Sequence, residues 1–252
     1  MSDVLVGPLA GLVCALLGAL VPWVIARLPQ PAPVAEPVEG VALTAAQQTL
    51  LDEGPVPTYV ELAARPGTRS TLVVVAGLSG ALLGWSLGAT WVLLLVLPLA
   101  PLGAALALID LRCRLLPSRL VLPATGLAIG YGVAAWLLDG SADDLVRGLI
   151  GLAAARSVFW VLWFVRSAGM GFGDVRLSAL LGFVLAYLGW AEYAVGLYAP
   201  FLIFALPGLL LAIVRRDRSL LKQAYPFGPF LLAGALLGIL LGEPLLRSLI
   251  AG

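Results

Sequence analysis

The chain has 252 residues, of which 61% are hydrophobic and only 12% are charged, and its mean hydropathy is +1.04. Because soluble domains carry about 25% charged residues, this composition excludes an ordinary soluble domain. The formal net charge of +1 provides no basic surface for nucleic acid. The sequence contains no histidine, which excludes Ser-His and Cys-His catalysis and zinc sites of the histidine-rich type.

Long apolar runs rich in Leu, Ala and Val, without two-residue alternation, predict an all-α polytopic membrane protein rather than a β-barrel. About eight transmembrane helices are expected, at roughly 20 residues each. They are approximately 4–26, 70–88, 90–109, 119–138, 144–165, 177–190, 193–214 and 228–249. The first is predicted to be a retained helix rather than a cleaved signal peptide, because residues 1–3 carry no basic charge and the apolar run continues to Ile25.

The basic residues predict the orientation of these helices. The loops after spans one, three, five and seven carry Arg27, Arg65, Arg69, Arg112, Arg114, Arg119, Arg166, Arg176, Arg215, Arg216, Arg218 and Lys222. The opposite side carries only Arg147 and Arg247. By the positive-inside rule, both termini are expected outside, and Asp110 and Asp174 are expected at the cytoplasmic ends of their helices.

Residues 1–252 are predicted to form a single integral membrane domain, with the motifs described below concentrated in 110–252. The only sizeable soluble segment is 28–68, which is rich in proline and too short for an independent core. Within it, residues 44–52 are compatible with a short helix capped by Thr44. The only cysteines are Cys14 and Cys113, so no metal site is predicted.

Two aspartates are the candidate catalytic residues. Asp110 ends an apolar run and is followed by three arginines, and Asp174 follows Gly171-Phe172-Gly173. Ionisable groups near a bilayer are costly and are therefore functional candidates. Each also has a structural interpretation. Asp174 could cap the helix that follows it, and Asp110 could pair with one of the arginines.

Together, the two carboxylates predict a specific chemistry. Two carboxylates held close together cannot both ionise easily and therefore share a proton. One can then act as general base on water while its protonated partner polarises a carbonyl group. The alternative is a proton-coupled membrane transporter that uses the same carboxylates. Against a transporter, the acids lie at helix ends rather than at the midplane, and the sequence shows no paired half-helix repeats.

Five motifs in order resemble the prepilin peptidases, also called type IV leader peptidases, of the Gly-x-Gly-Asp group of intramembrane aspartic proteases. The motifs are Arg27-Leu28-Pro29, Ile109-Asp110 with Leu115-Leu116-Pro117, Ser157-Val158-Phe159-Trp160, Gly169-Met170-Gly171-Phe172-Gly173-Asp174, and Pro226-Phe227-Gly228-Pro229-Phe230. They extend over residues from about 20 to 240. A non-catalytic assembly factor of the same fold would be expected to have lost one of the aspartates, and both are present.

The resemblance implies an endopeptidase that cleaves the basic leader of prepilins or pseudopilins at the cytoplasmic face of the bacterial inner membrane. Asp110 and Asp174 correspond to the family's catalytic aspartates. The residues expected to bind substrate or shape the site are Leu116, Pro117, Gly171, Phe172, Gly173, Pro226 and Gly228. The expected partners are the substrate helix and the lipid bilayer, without nucleic acid, and the sequence leaves the oligomeric state open.

The sequence departs from the family pattern in three places, and two of them, in the first helix and in the segment 28–68, concern a second activity, methylation of the new N-terminus. Ser118 stands where typical members have an aspartate, and Pro22 and Ala26 replace an asparagine and a histidine. The segment 28–68 lacks the two Cys-x-x-Cys pairs of many members. We therefore predict a peptidase that needs no cofactor for proteolysis, with S-adenosylmethionine involved only if methylation is retained.

Overall fold

The computed structural model describes residues 3–30, 57–165, 171–215 and 226–251. Their regular structure is helical. After a 3₁₀ turn at Asp3–Leu5, the helices are α1 Val6–Ala26, α2 Tyr59–Ala64, α3 Thr68–Leu87, α4 Leu93–Val96, α5 Leu99–Cys113, α6 Ser118–Asp139, α7 Asp143–Val165, α8 Phe172–Leu188, α9 Trp190–Arg215 and α10 Gly228–Ala251. The possible helix at 44–52 lies outside the described residues.

The prediction of an all-α polytopic membrane protein is confirmed. Within the described ranges, six helical segments are long and apolar enough to cross a membrane: α1, α3, Leu93–Cys113 (α4 with α5), α6, α7 and α10. The other two predicted spans correspond to α8, which has only 17 residues, and to α9, which has 26 residues and begins with the apolar stretch Trp190–Ala205. All eight predicted spans therefore have a helical counterpart, in the predicted order.

Helix boundaries differ from the predictions near both aspartates. The third predicted span ends at residue 109, whereas α5 continues to Cys113. The sixth was expected to begin at residue 177, whereas α8 begins at Phe172. Hydropathy places a span's edge where charge begins, but backbone hydrogen bonding continues a helix through charged residues. Asp110 and Asp174 are consequently inside the terminal turns of their helices rather than in loops.

Three helix pairs are packed so closely that their backbones nearly touch: α1 with α3, α7 with α8, and α9 with α10. Glycines make this approach possible. A β-carbon added to Gly80 would lie 2.6 Å from Cys14 Cβ, one on Gly182 would lie 2.6 Å from Ala155 Cβ, and one on Gly238 would lie 2.6 Å from the Glu192 carbonyl oxygen. Small residues serve this purpose widely in membrane helices, since lipid provides no hydrophobic force to drive helices together.

Replacing Gly80 by alanine is expected to destabilise the bundle by about 1–3 kcal/mol, as overpacking of a filled interface does. The new methyl group would meet Cys14 Cβ at 2.6 Å and the Ala10 carbonyl oxygen at 2.9 Å, and side-chain rotation moves neither atom. Thermal unfolding in detergent measures the effect. Gly130→Ala on α6 is the matched control, because no atom lies within 4 Å of its β-carbon position. Equal unfolding temperatures for the two variants would contradict the assignment.

Helix α8 is the centre of the bundle. It packs against α6, α7, α9 and α10, and every residue from Leu177 to Tyr187 is buried. A helix that is apolar on all sides is expected in such a position. Its far end is closed by Arg147 of α7, which donates hydrogen bonds to the carbonyl oxygens of Ala186, Tyr187 and Leu188. A cation there satisfies carbonyls that no helical N–H can reach.

The described part of the predicted loop 28–68 contains the short helix α2, whose start is capped by side chains. The Thr58 hydroxyl accepts a hydrogen bond from the Glu61 N–H, and the Glu61 carboxylate accepts one from the Thr58 N–H. This reciprocal capping box satisfies two N–H groups at the start of the helix. Its backbone bond to Thr58 lowers the pKa of the exposed Glu61. Tyr59 and Leu62 of α2 are buried against the bundle, so this short helix covers the end of the bundle near α1.

Candidate active site

Asp110 lies in the last turn of α5, where the helix ends at a left-handed residue. Arg114 follows the helix with φ of 52°, and its N–H donates to the Asp110 carbonyl oxygen at 2.9 Å. The Asp110 side chain is 5% exposed, and its Oδ2 accepts a hydrogen bond of 2.9 Å from the Gly228 N–H at the start of α10. The charge of Arg114 acts on this carboxylate. The surroundings of Asp110 therefore combine the charge of an arginine with a backbone hydrogen bond from another helix.

Asp174 lies in the first turn of α8 and is likewise 5% exposed. Its Oδ2 accepts a hydrogen bond of 3.1 Å from the Gly171 N–H, the residue that precedes the helix. The other carboxylate oxygen, Oδ1, is buried and has no hydrogen-bond partner among the described residues. The N-cap of α8 is therefore Gly171 rather than Asp174, and Asp174 stabilises the helix start from inside the first turn, through one oxygen.

The structure brings the two aspartates together. Both lie at the end of the bundle where α5 ends and α8 and α10 begin, and their carboxylates are close enough to repel each other. Since each is buried, this repulsion is only weakly screened. The pair can hold a single proton between them, so that one carboxyl group donates while the other accepts. We call Asp110 and Asp174 the carboxylate pair.

Leu116 links the segments that carry the pair. A β-carbon on Gly173 would lie 2.7 Å from Leu116 Cβ, so the leucine rests directly on the Gly173 backbone. A β-carbon on Gly228 would lie 3.4 Å from Leu116 Cδ1 and 2.7 Å from Asp110 Oδ2. The two glycines thus leave space for Leu116 and for the Asp110 carboxylate. Pro117, also predicted for the site, immediately precedes α6.

The other predicted residues have packing roles near the pair. The Phe172 ring meets the edge of Trp163 at 5.1 Å between centroids. Gly171 precedes α8, and Pro226 precedes the buried Phe227. Phe227 joins an aromatic cluster with Phe159, Phe201 and Phe204. Gly169 and Met170 of the second motif lie outside the described residues.

Arg176 is a residue that the sequence reasoning missed. Its guanidinium donates a hydrogen bond to the Ser118 hydroxyl at the start of α6 and lies 4.9 Å from the centroid of the Phe172 ring. It therefore ties the start of α6 to the start of α8, two residues beyond Asp174. The sequence placed Arg176 in the loop ahead of a span predicted to begin at residue 177, so its position inside α8 carried no signal. Only the fold shows that its partner is Ser118, the position where an acid was expected.

Comparison with known proteins finds relatives of this chain. The curated relatives include proteins named "Prepilin leader peptidase/N-methyltransferase" from three bacteria. That of Pseudomonas putida is 34% identical over 188 residues, covering 73% of this chain and 62% of the relative. That of Pseudomonas aeruginosa is 33% identical, covering 72% and 61%, and that of Burkholderia pseudomallei (strain 1026b) is 32% identical, covering 75% and 62%. The match thus spans about three-fifths of each relative, and no solved structure matches the chain significantly.

The model of the type IV leader peptidase family matches residues 97–245. This range begins ahead of the predicted motif region 110–252 and includes both members of the carboxylate pair, Leu116 and Gly228. It covers more than half of the 252 residues. The resemblance inferred from the five motifs is confirmed: the chain belongs to the type IV leader peptidase family.

Proposed function

We propose that the protein is a prepilin peptidase, an aspartic endopeptidase that removes the N-terminal leader of type IV prepilins or pseudopilins. The observation that carries the proposal is the carboxylate pair: two buried aspartates from separate motifs interact at one end of the bundle. Family membership and the names of the relatives support the same reaction.

The carboxylate pair supplies both proton transfers that peptide hydrolysis needs. The ionised carboxylate takes a proton from water, and the oxygen of that water attacks the scissile carbonyl carbon. The protonated partner polarises the carbonyl oxygen, and a proton passes to the amine nitrogen as the C–N bond breaks. Asp174 Oδ1, which has no hydrogen-bond partner among the described residues, can bond to water or substrate. No covalent enzyme intermediate is formed.

We propose that the pair faces the cytoplasm and that the protein is a multi-pass component of the bacterial inner membrane. The distribution of Arg and Lys supports this orientation. The basic leader would then stay in the cytosol while the apolar substrate helix remains in the bilayer. We further propose that residues 1–252 act as one peptidase domain, in which 28–68 is a cytoplasmic linker. The same orientation leaves both termini outside.

We limit the proposal to proteolysis, although the relatives are named peptidase and N-methyltransferase. Segment 28–68 has no Cys-x-x-Cys pair, and Pro22 and Ala26 depart from the family pattern. Proteolysis by two carboxylates requires no cofactor, and S-adenosylmethionine would be used only if methylation is retained. The transporter alternative is disfavoured by membership of a peptidase family.

Cleavage of a prepilin-type substrate by the purified protein, followed by mass spectrometry, tests the proposal. Release of one defined leader is the expected result. Absence of cleavage across several prepilin and pseudopilin substrates, by a protein that is folded in detergent, would refute it. A second sample with S-adenosylmethionine tests methylation, since the product gains the mass of a methyl group only if that activity is present.

Arg176→Met is expected to lower kcat about tenfold and to leave KM nearly unchanged. A hydrogen bond from a charged donor contributes about 1.5–3 kcal/mol, and this one positions Asp174 relative to α6 rather than contacting substrate. Steady-state cleavage kinetics separate the two constants. Arg247→Met is the matched control, because Arg247 pairs with Glu243 on the exposed surface of α10. An unchanged kcat for Arg176→Met would contradict the positioning role.

A further inference from the structure

An apolar cavity of about 240 Å³ lies between α3, α5, α8 and α10. Beyond Leu99, its wall on α5 consists of small residues at helical spacing: Ala100, Gly103, Ala104 and Ala107. Residues so spaced share one face of a helix. The other walls are mainly aliphatic, and they include Leu181 and Leu185 of α8. Such a lining favours hydrocarbon over a polar ligand.

The cavity begins beside the carboxylate pair. Ala107 precedes Asp110 by three residues on the same face of α5, and Pro229 directly follows Gly228, the donor to Asp110. From Ala107 to Ala100 the α5 wall extends for about 10 Å, at 1.5 Å per residue. The cavity therefore leads from the carboxylates into the apolar part of the bundle.

The cavity opens sideways between α3 and α10. Val75 of α3 and Ala233 of α10 both line it, and both are exposed on the outside of the bundle, Val75 by 43%. These two helices make few contacts with each other. A hydrogen bond of 3.5 Å joins them from Ser86 to the Ile239 carbonyl oxygen, farther from the carboxylate pair than Val75 and Ala233. A chain in the bilayer thus has access to the cavity from the side.

We propose that this cavity receives the first large apolar side chains of the substrate helix beyond the scissile bond, an inference that rests on the proposed function. A cavity of about 150 Å³ holds a benzene molecule, so this one has room for two aliphatic side chains. It cannot hold a whole helix, which is about 10 Å across with its side chains. The substrate helix therefore lies along the opening between α3 and α10.

Continuity with the carboxylate pair selects this occupant over a lipid chain. A peptide bond held between Asp110 and Asp174 must place its next residues within a few ångströms, at the end of the cavity lined by Ala107 and Pro229. Apolar side chains of the substrate move from lipid into the cavity at that position. The binding energy of this contact helps to orient the scissile bond. A lipid acyl chain carries no group that would bind between the two carboxylates, so its position would not be tied to them.

Ala104→Leu, which narrows the cavity, tests the inference. Two substrates are compared: one with its apolar helix, and a short peptide that ends soon after the scissile bond. We expect kcat/KM for the helical substrate to fall at least tenfold and that for the short peptide to stay unchanged. Ala233→Leu at the opening should also lower kcat/KM for the helical substrate only. Because residue 233 is exposed, a larger side chain there strains the fold less. Ala153→Leu on the exposed face of α7 is the matched control.

A reciprocal experiment uses a substrate with alanine at its first large apolar positions. The Ala104→Leu variant should cleave this alanine-containing substrate better than it cleaves the unmodified substrate, because small side chains fit the narrowed cavity. Equal losses on the helical substrate and the short peptide would overturn the inference, as would wild-type rates in both cavity variants. Wild-type rates together with loss of a co-purified lipid, seen by native mass spectrometry, would assign the cavity to lipid. If the wild-type protein cleaves no substrate, the proposed function fails as well.

Discussion

Replacing either Asp110 or Asp174 by asparagine is expected to reduce cleavage of a prepilin-type substrate by about 10²- to 10⁴-fold, the usual contribution of general acid–base catalysis. Asparagine has the same size as aspartate and can still accept the hydrogen bonds from Gly228 or Gly171. It cannot take a proton from water or share one with its partner. Single-turnover cleavage followed by mass spectrometry measures the loss.

The double variant distinguishes a shared mechanism from two separate contributions. If Asp110 and Asp174 act as one pair, removing the second after the first should cost little more, as for other catalytic groups that act together. Asp139→Asn provides the control, since this carboxylate is exposed at the end of α6. Near wild-type cleavage by either single variant, with the protein still folded, would refute the assignment of the pair.

Gly228→Ala is expected to lower kcat about 10²-fold while the bundle remains folded. The added β-carbon would lie 2.7 Å from Asp110 Oδ2 and 3.2 Å from Asp110 Cγ, so the carboxylate must move. Displacing a catalytic group by about 1 Å can cost about 10²-fold in rate. Gly173→Ala should behave similarly, because its β-carbon would meet Leu116 Cβ at 2.7 Å. Cleavage kinetics and thermal unfolding, measured together, separate misplacement from unfolding.

The matched control for these variants is Gly126→Ala on α6. No atom lies within 4 Å of its β-carbon position, so the same chemical change meets open space. We expect wild-type cleavage from this variant. If Gly228→Ala and Gly173→Ala also cleave at the wild-type rate, Leu116 and the Gly228 N–H do not position the carboxylate pair, and the site must be organised differently.

The helices and their order could be predicted from the sequence because the lipid environment imposes a strong rule. Apolar runs of about 20 residues must form helices, since no water satisfies the backbone inside the bilayer. The boundaries near Asp110 and Asp174 could not be predicted in the same way. A hydropathy prediction ends a span where charged residues begin. Helix α5 instead continues past Asp110 to Cys113, and α8 already begins at Phe172, ahead of Asp174.

Roles of individual glycines were equally inaccessible to sequence reasoning. Gly80, Gly126 and Gly228 all lie in apolar surroundings in the sequence. In the structure the first faces Cys14, the second faces open space and the third faces Asp110. The difference depends on which helix lies opposite, and that is a property of tertiary packing. Arg176 illustrates the same point, because its partner Ser118 is 58 residues away in the chain.

The sequence by itself determined the membrane class, the order of the long apolar helices, and the two aspartates as the candidate catalytic residues. Composition, hydropathy and motifs are properties of residues close together in the chain, so they can be detected without knowing the fold. The tertiary structure alone decided that Asp110 and Asp174 interact, that the Gly228 N–H binds one oxygen of Asp110, and that an apolar cavity begins beside them. Those facts depend on contacts between helices far apart in sequence, where distances of a few ångströms determine which groups can bond.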